Sequence, residues 1–192
     1  MSAGYYTTDE LAEFHFVSCG ENVQISRKAS LYMTDKMSIG NNVRIDDFCI
    51  LIGNITIGDC VHIAAYAGVH ASHGSVTIGN FVGIGSQSAI YSVSDDFSGF
   101  HTINNVSMES YPFSDLSKGS AYELKRNLVV SDIEIGEYAF VGVNSVILPG
   151  AIIPEGASIG ALSLVKKPLK YPWWVYGGNP AKRMMERIKT AF

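Results

Sequence analysis

From Ile135 onward the chain repeats every six residues. Ile135, Val141, Ile147, Ile153, Ile159 and Val165 are aliphatic at that spacing. Four residues past each of the first five stands a small residue: Ala139, Ser145, Ala151, Ala157 and Ser163. A period of six matches neither the 3.6 residues of a helix nor the two of a flat strand. It fits a backbone that turns a corner every six residues, with the aliphatic side chain inside and the small one tucked beside the corner. Gly136, Gly142 and Gly160 directly follow three of the aliphatics, at places where a side chain would crowd the next turn of chain. Three sixes close one coil of a triangular prism, so the spacing predicts an all-β parallel β-helix whose coils stack and hydrogen-bond to one another.

The same rhythm runs backwards through the chain. It starts loosely at Cys19, Ile25 and Leu31, takes up two extra residues, and continues through Ile39, Ile45, Leu51, Ile57, Ile63 and Val69 to Ile78, Ile84 and Ile90. Two larger breaks follow. Ile57 to Ile78 spans 21 residues, three more than a coil, and places an insert around residues 70–75. Ile90 to Ile135 spans 45 residues, which extrudes a loop of about 95–131. Both inserts follow the third six of their coil, so they are expected on one edge of the prism. Solenoids gather insertions on the face that binds. His70, His73, Asp95 and Asp96 are therefore expected to be spatial neighbours.

The organisation predicted is a lead-in over 1–18, the prism over 19–170 and a C-terminal segment over 171–192. Thr8-Asp9-Glu10 ahead of Leu11 and Phe14 signals a short capped helix in the lead-in. Asn179 before Pro180 has the pattern of a helix start, which predicts a C-terminal helix over about 180–190. Seven of the 14 Lys and Arg follow position 165, against Glu186 as the one acid there, on a chain whose net charge is -4. That balance argues against a nucleic-acid partner and for a small polyanionic ligand at the basic end. No apolar run approaches a membrane span, no N-terminal leader pattern is present, and three cysteines without CxxC spacing read as reduced thiols. The expectation is a cytoplasmic protein with no stable membrane association.

The repeat IGEYAFVGVNSVILPGAIIPEGASIGA and the closing GGNPAKR resemble the hexapeptide-repeat acyltransferases. Within that family, VSDDFSG at 93–99 and GALSLV at 160–165 look like the sugar O- and N-acetyltransferases of bacterial surface-polysaccharide synthesis. The resemblance implies a left-handed coil, a homotrimer, acetyl-CoA as cosubstrate lying between neighbouring prisms, and a sugar or nucleotide-sugar acceptor. By family position, Gly142 and Ala161 would let the pantetheine arm approach the backbone, and Lys166, Lys167, Lys182 and Arg183 would meet the CoA phosphates.

The resemblance breaks at one place. Family members that acetylate hydroxyls carry a general-base His where the chain leaves for the corner loop; here that place reads Asp95-Asp96-Phe97. A hydroxyl gains about 10²- to 10⁴-fold from a positioned base, whereas a sugar amine needs mainly orientation and an acceptor for one proton. The substitution favours an amine acceptor over a hydroxyl, with O-acetylation as the alternative and Asx-turn capping as the bland role for the two aspartates. His73 stands where other coils carry a small residue, so the insert must swing its ring outward; His70 is expected to face outward on the same edge. Phe97, Phe100, Tyr111 and Phe113 in the loop are candidates to face the sugar or base. A zinc hydratase of the γ-carbonic-anhydrase kind needs three converging histidines, and His70-x-x-His73 supplies two; a non-catalytic scaffold would bind no CoA.

Overall fold

The computed structural model describes residues 4–95 and 128–189. By its internal contacts the chain divides into Met1–Val93 with Val130–Phe192, and a separate unit Ser94–Val129.

The first unit is a parallel β-helix. Its strands are short because the corner comes every six residues, and they stack coil upon coil into three faces. Gln24–Ile25, Arg44–Ile45, His62–Ile63, Gly83–Ile84, Phe140–Val141 and Ser158–Ile159 pair in parallel up one face. The register carries the inserts openly. Ile45 pairs with Ile63, eighteen residues on, while Ile57 pairs with Ile78 and Ile78 with Ile135, each displaced by the length of the intervening insert. Ile135, Val141, Ile147, Ile153, Ile159 and Val165 form the buried column, and Ala139, Ser145, Ala151, Ala157 and Ser163 are buried beside them. The buried column of the repeat begins at Ile25; Cys19, the first expected member, is exposed. Of the other thiols Cys49 is buried and Cys60 exposed.

Two kinds of corner hold the coils. At most turns one residue takes the left-handed conformation, including Phe48, Tyr66, Gln87, Asn144 and Leu162 along one edge. Beside that edge the buried hydroxyls of Ser88 and Ser145 donate to the carbonyls of Gly142 and Gly160, at 2.8 and 3.0 Å, and Ser163 donates to Gly160 at 2.6 Å. The Ser88 and Ser145 hydroxyls thus tie their own coils to the next, while Ser163, bonded within its own coil, accepts from Gly178 N–H at 3.1 Å, which is why serine rather than alanine occupies these three positions. Gly142 is required by the same packing. A Cβ there would lie 2.6 Å from Ala161 N and Ile159 O, both backbone atoms.

The expected C-terminal helix is not formed; residues 182–186 are strand. Trp174–Gly177 pairs in parallel on Ser158–Ile159, and Lys182–Glu186 folds back antiparallel on it. The reason is competition for backbone groups. Ala181 N–H donates to Leu164 O at 2.8 Å and Arg187 N–H to Trp173 O at 2.8 Å, so the amides a helix would use are taken by the prism end. A two-strand edge also covers the open last coil.

The predicted N-terminal helix is present as Thr8–Ala12, capped by Thr7 and reciprocally by Glu10. The Thr7 backbone N–H and the Arg27 guanidinium hold the Glu10 carboxyl down at about 2. A carboxyl depressed on folding stabilises the folded form above its unfolded value and loses that stabilisation as pH falls through the folded one. The cap is therefore expected to fray between about pH 4.5 and 2. Amide signals of Thr7 and Glu10 should lose exchange protection in that window; protection unchanged down to pH 2 would remove Glu10 from this role.

Candidate active site

The corner where the third strand of each coil gives way to the next coil carries every insert. In the first coil the two extra residues form the 3-10 turn Thr34–Lys36. Two coils later the three-residue insert bows the eleven-residue strand Gly68–Ile78 outward. One coil further, the chain leaves at Ser92 and returns at Ser131. The last two breaks are joined directly. Ser92, wholly buried, donates its hydroxyl to His73 O at 2.6 Å and its N–H to His70 O at 3.0 Å. Ser131 N–H donates to Ser92 O at 3.0 Å, and the Asp132 carboxylate accepts from Ser75 N–H at 2.8 Å. Outgoing chain, returning chain and bulge therefore share one knot, on the one edge that the spacing implied. Gly74, at φ +74, makes the tight reversal that an L side chain would strain.

His70 and His73 are both at this corner, in different surroundings. His70 is half-buried, its ring stacked on Tyr91 with centroids 4.5 Å apart and planes 9° from parallel. It lies over Gly68, where a Cβ would meet its Nε2 at 2.7 Å. Burial pushes its pKa down, so the imidazole is neutral at neutral pH and has a lone pair available. His73 is exposed, as the bulge geometry required, with Ser72 Oγ 3.3 Å from Nδ1. Asp95 ends the strand Val93–Asp95, which pairs with Leu128–Val130. Asp96, Phe97, Phe100, Tyr111 and Phe113 lie outside the described residues. Tyr91, Ser92 and Asp132 were not singled out from sequence. Their signal was position: each stands within four residues of an insert's end.

The cofactor candidates divide between two edges. Gly142 and Ala161 lie at the corner of the serine column, where the Val143 and Ala161 amides donate to no other coil among the described residues. Ala161 is exposed and Gly142 buried. Lys166 and Lys167 are exposed just past the strand Leu164–Val165, at the insertion corner. The Ala181–Leu164 hydrogen bond brings the turn before Lys182 and Arg183 to that same strand. Arg183 stacks its guanidinium on Tyr171 and Trp174, 4.6 and 4.4 Å from the ring centroids. One strand of each coil separates the Gly142–Ala161 edge from the histidines, on the order of 13 Å for four extended residues. A single prism thus carries the two sets of candidate residues on neighbouring edges. Among the described residues no three His, Cys, Asp or Glu side chains are grouped to hold a metal ion.

Comparison with known proteins places this geometry in a family. Residues 36–71 match the model for bacterial transferase hexapeptide, six repeats. Over 188 residues the chain is 40% identical to the dTDP-4-amino-4,6-dideoxy-D-glucose acyltransferase of Escherichia coli, covering 96% of this chain and 90% of that protein. The chain belongs to the hexapeptide-repeat acyltransferases and is an acyltransferase of that fold. AntD, an N-acyltransferase of Bacillus cereus solved with dTDP and 3-hydroxybutyryl-CoA, matches with a TM-score of 0.84 at 36% identity, over 96% of this chain and 90% of that one. A chloramphenicol acetyltransferase of Agrobacterium fabrum is 32% identical over 59% of this chain and 52% of its own length. No helix among the described residues is long and apolar enough to cross a membrane.

Proposed function

We propose that this protein is a cytoplasmic, homotrimeric N-acyltransferase that moves acetyl from acetyl-CoA to the amine of a nucleotide-linked aminodeoxy sugar, a dTDP-amino-dideoxyhexose. The observation that carries the reading is the likeness, over nearly its whole length, to an acyltransferase of dTDP-4-amino-4,6-dideoxy-D-glucose. AntD, solved with dTDP-4-amino-4,6-dideoxyglucose and coenzyme A, supports it at a TM-score of 0.86 and 35% identity. So does Asp95-Asp96 in place of a loop-entry histidine.

In the reaction the amine nitrogen attacks the thioester carbonyl, the C–S bond breaks, and CoA leaves as a thiolate that takes up a proton. The amine gives up one proton. Asp96 is assigned to hold the amino group and receive that proton, with Asp95, His70 and His73 as the further catalytic candidates. AntD has been solved as Ser and Asp variants ten positions apart, and Ser86 and Asp96 have that spacing here. Ser86 therefore joins the assignment; it lies on the serine-column edge, where its carbonyl accepts from Asn144 N–H.

The half-sites on two edges support the trimer. The unused amides of Val143 and Ala161 suit the amide carbonyls of pantetheine, while Lys166, Lys167 and Lys182 suit its phosphates. Setting the Gly142–Ala161 edge of one prism against the histidine edge of its neighbour completes the site.

Release of free thiol from acetyl-CoA tests the reading. Turnover is expected with dTDP-4-amino-4,6-dideoxyglucose and not with dTDP-glucose, which has a hydroxyl in place of the amine. Turnover confined to hydroxyl acceptors would replace it with O-acetylation.

A further inference from the structure

The first insert, Thr34–Lys36, has so far been given no role. It stands two coils below the 71–75 bulge on the same edge, and the coil between them has no insert. That middle coil turns at Gly53-Asn54 and is recessed. Gly53, at φ +91, lies so close under the bulge that a Cβ would collide with the Ala71 carbonyl. Two protruding corners flanking a recessed one make a notch. Stacked coils repeat at about 4.8 Å, so its mouth is on the order of 10 Å.

The notch has a volume of about 490 Å³. Lys36, Ser38, Asn54, Thr56 and Ser72 line it together with apolar and glycine positions, and among the described residues no carboxylate does. Ser38 and Thr56 are register partners on neighbouring strands, so their hydroxyls project from one face as a pair. Lys36 makes no ion pair among the described residues, although Lys28, Arg27 and Arg44 all do. The 3-10 turn holds it, with Lys36 N–H donating to Met33 O at 3.0 Å. At the upper end the notch reaches Ser72, whose hydroxyl is 3.3 Å from His73 Nδ1.

We propose that this notch is the diphosphate subsite of the nucleotide-linked acceptor. One unpaired ammonium, two paired hydroxyls and a carboxamide, without a competing acid, form a donor set for a phosphorylated group. The notch runs from the first insert up to the histidine bulge, so a diphosphate seated in it extends the sugar toward His73. This inference rests on the reading of the acceptor as a nucleotide sugar, and adds which residues hold the nucleotide and why the first coil carries two extra residues.

The experiment is calorimetric titration of the full-length protein with dTDP in the presence of CoA. Lys36→Ala is expected to weaken dTDP binding by about tenfold or more while leaving CoA affinity within about twofold, with Thr56→Val giving a smaller loss and Lys36→Arg retaining most of the binding. Lys36 and Thr56 are exposed, so the variants should melt with the wild type. If Lys36→Ala binds dTDP as the wild type does, in an enzyme that still acylates the amino sugar, the notch is overturned and the enzyme stands. If the wild type binds no dTDP and acylates no nucleotide-linked amine, the acceptor reading falls and the notch falls with it.

Discussion

Asp96→Asn is expected to lower kcat by about 10²- to 10³-fold with no matching loss of stability. The carboxamide keeps the size of the side chain and its ability to accept a hydrogen bond. It removes the charge that pairs with an ammonium and the oxygen that takes its proton. An amine near neutrality is deprotonated part of the time at pH 7, so some activity should survive, and it should rise with pH more steeply than in the wild type. The paired measurement is a thermal melt, which should agree with the wild type within a few degrees. Asp95→Asn serves as comparison, because Asp95 belongs to the strand Val93–Asp95. If Asp96→Asn loses activity and melting temperature together, the residue shapes the loop and another group receives the proton.

Gly142→Val should fail in the opposite way, through the fold. The family position of Gly142 suggested that a side chain there would block the pantetheine arm. The packing gives a different expectation. The added Cβ would meet two backbone atoms of the next coil at 2.6 Å, and Gly85, one coil below, is held equally close to the backbone of Val143 and Val141. Neither neighbour is a flexible side-chain tip, so the coils must part, breaking the Gly142 N–H bond to Ile159 O and the Ser145 hydroxyl bond to Gly160 O. Overpacking of this kind costs about 3 kcal/mol, or more where backbone cannot yield. Urea denaturation should show that loss, against Gly160→Ala as control, since a Cβ at Gly160 meets its nearest atom at an ordinary 3.5 Å. A Gly142→Val protein of unchanged stability with a raised KM for acetyl-CoA would return the residue to the cofactor.

These two variants mark where sequence was sufficient. The aliphatic and small columns were legible because a six-residue period leaves no other arrangement that buries them all. The shared edge was legible because inserts that follow the third six of a coil must fall at one corner. Among the C-terminal aromatics Tyr176 packs into the prism end, buried with its hydroxyl bound to the Tyr171 backbone. The C-terminal strand was misread for a physical reason: Asn179-Pro180 is a fair helix start, but the local signal says nothing of an open β edge six coils high waiting for a partner. Ser92 and Asp132 were missed because their importance lies in hydrogen bonds between coils, which leave no periodic trace. The notch at Lys36 did leave one, the two extra residues after Leu31.

The distribution of inserts has a consequence for how such a protein can change. Two of the three vertices keep strict length, because left-handed corner residues and buried serines fix their geometry from coil to coil. The third tolerates additions of two, three or thirty-nine residues without disturbing the interior. New acceptor preferences can therefore arise by lengthening, trimming or exchanging segments at that vertex alone, while resistance to heat is governed by the other two and evolves on a separate schedule.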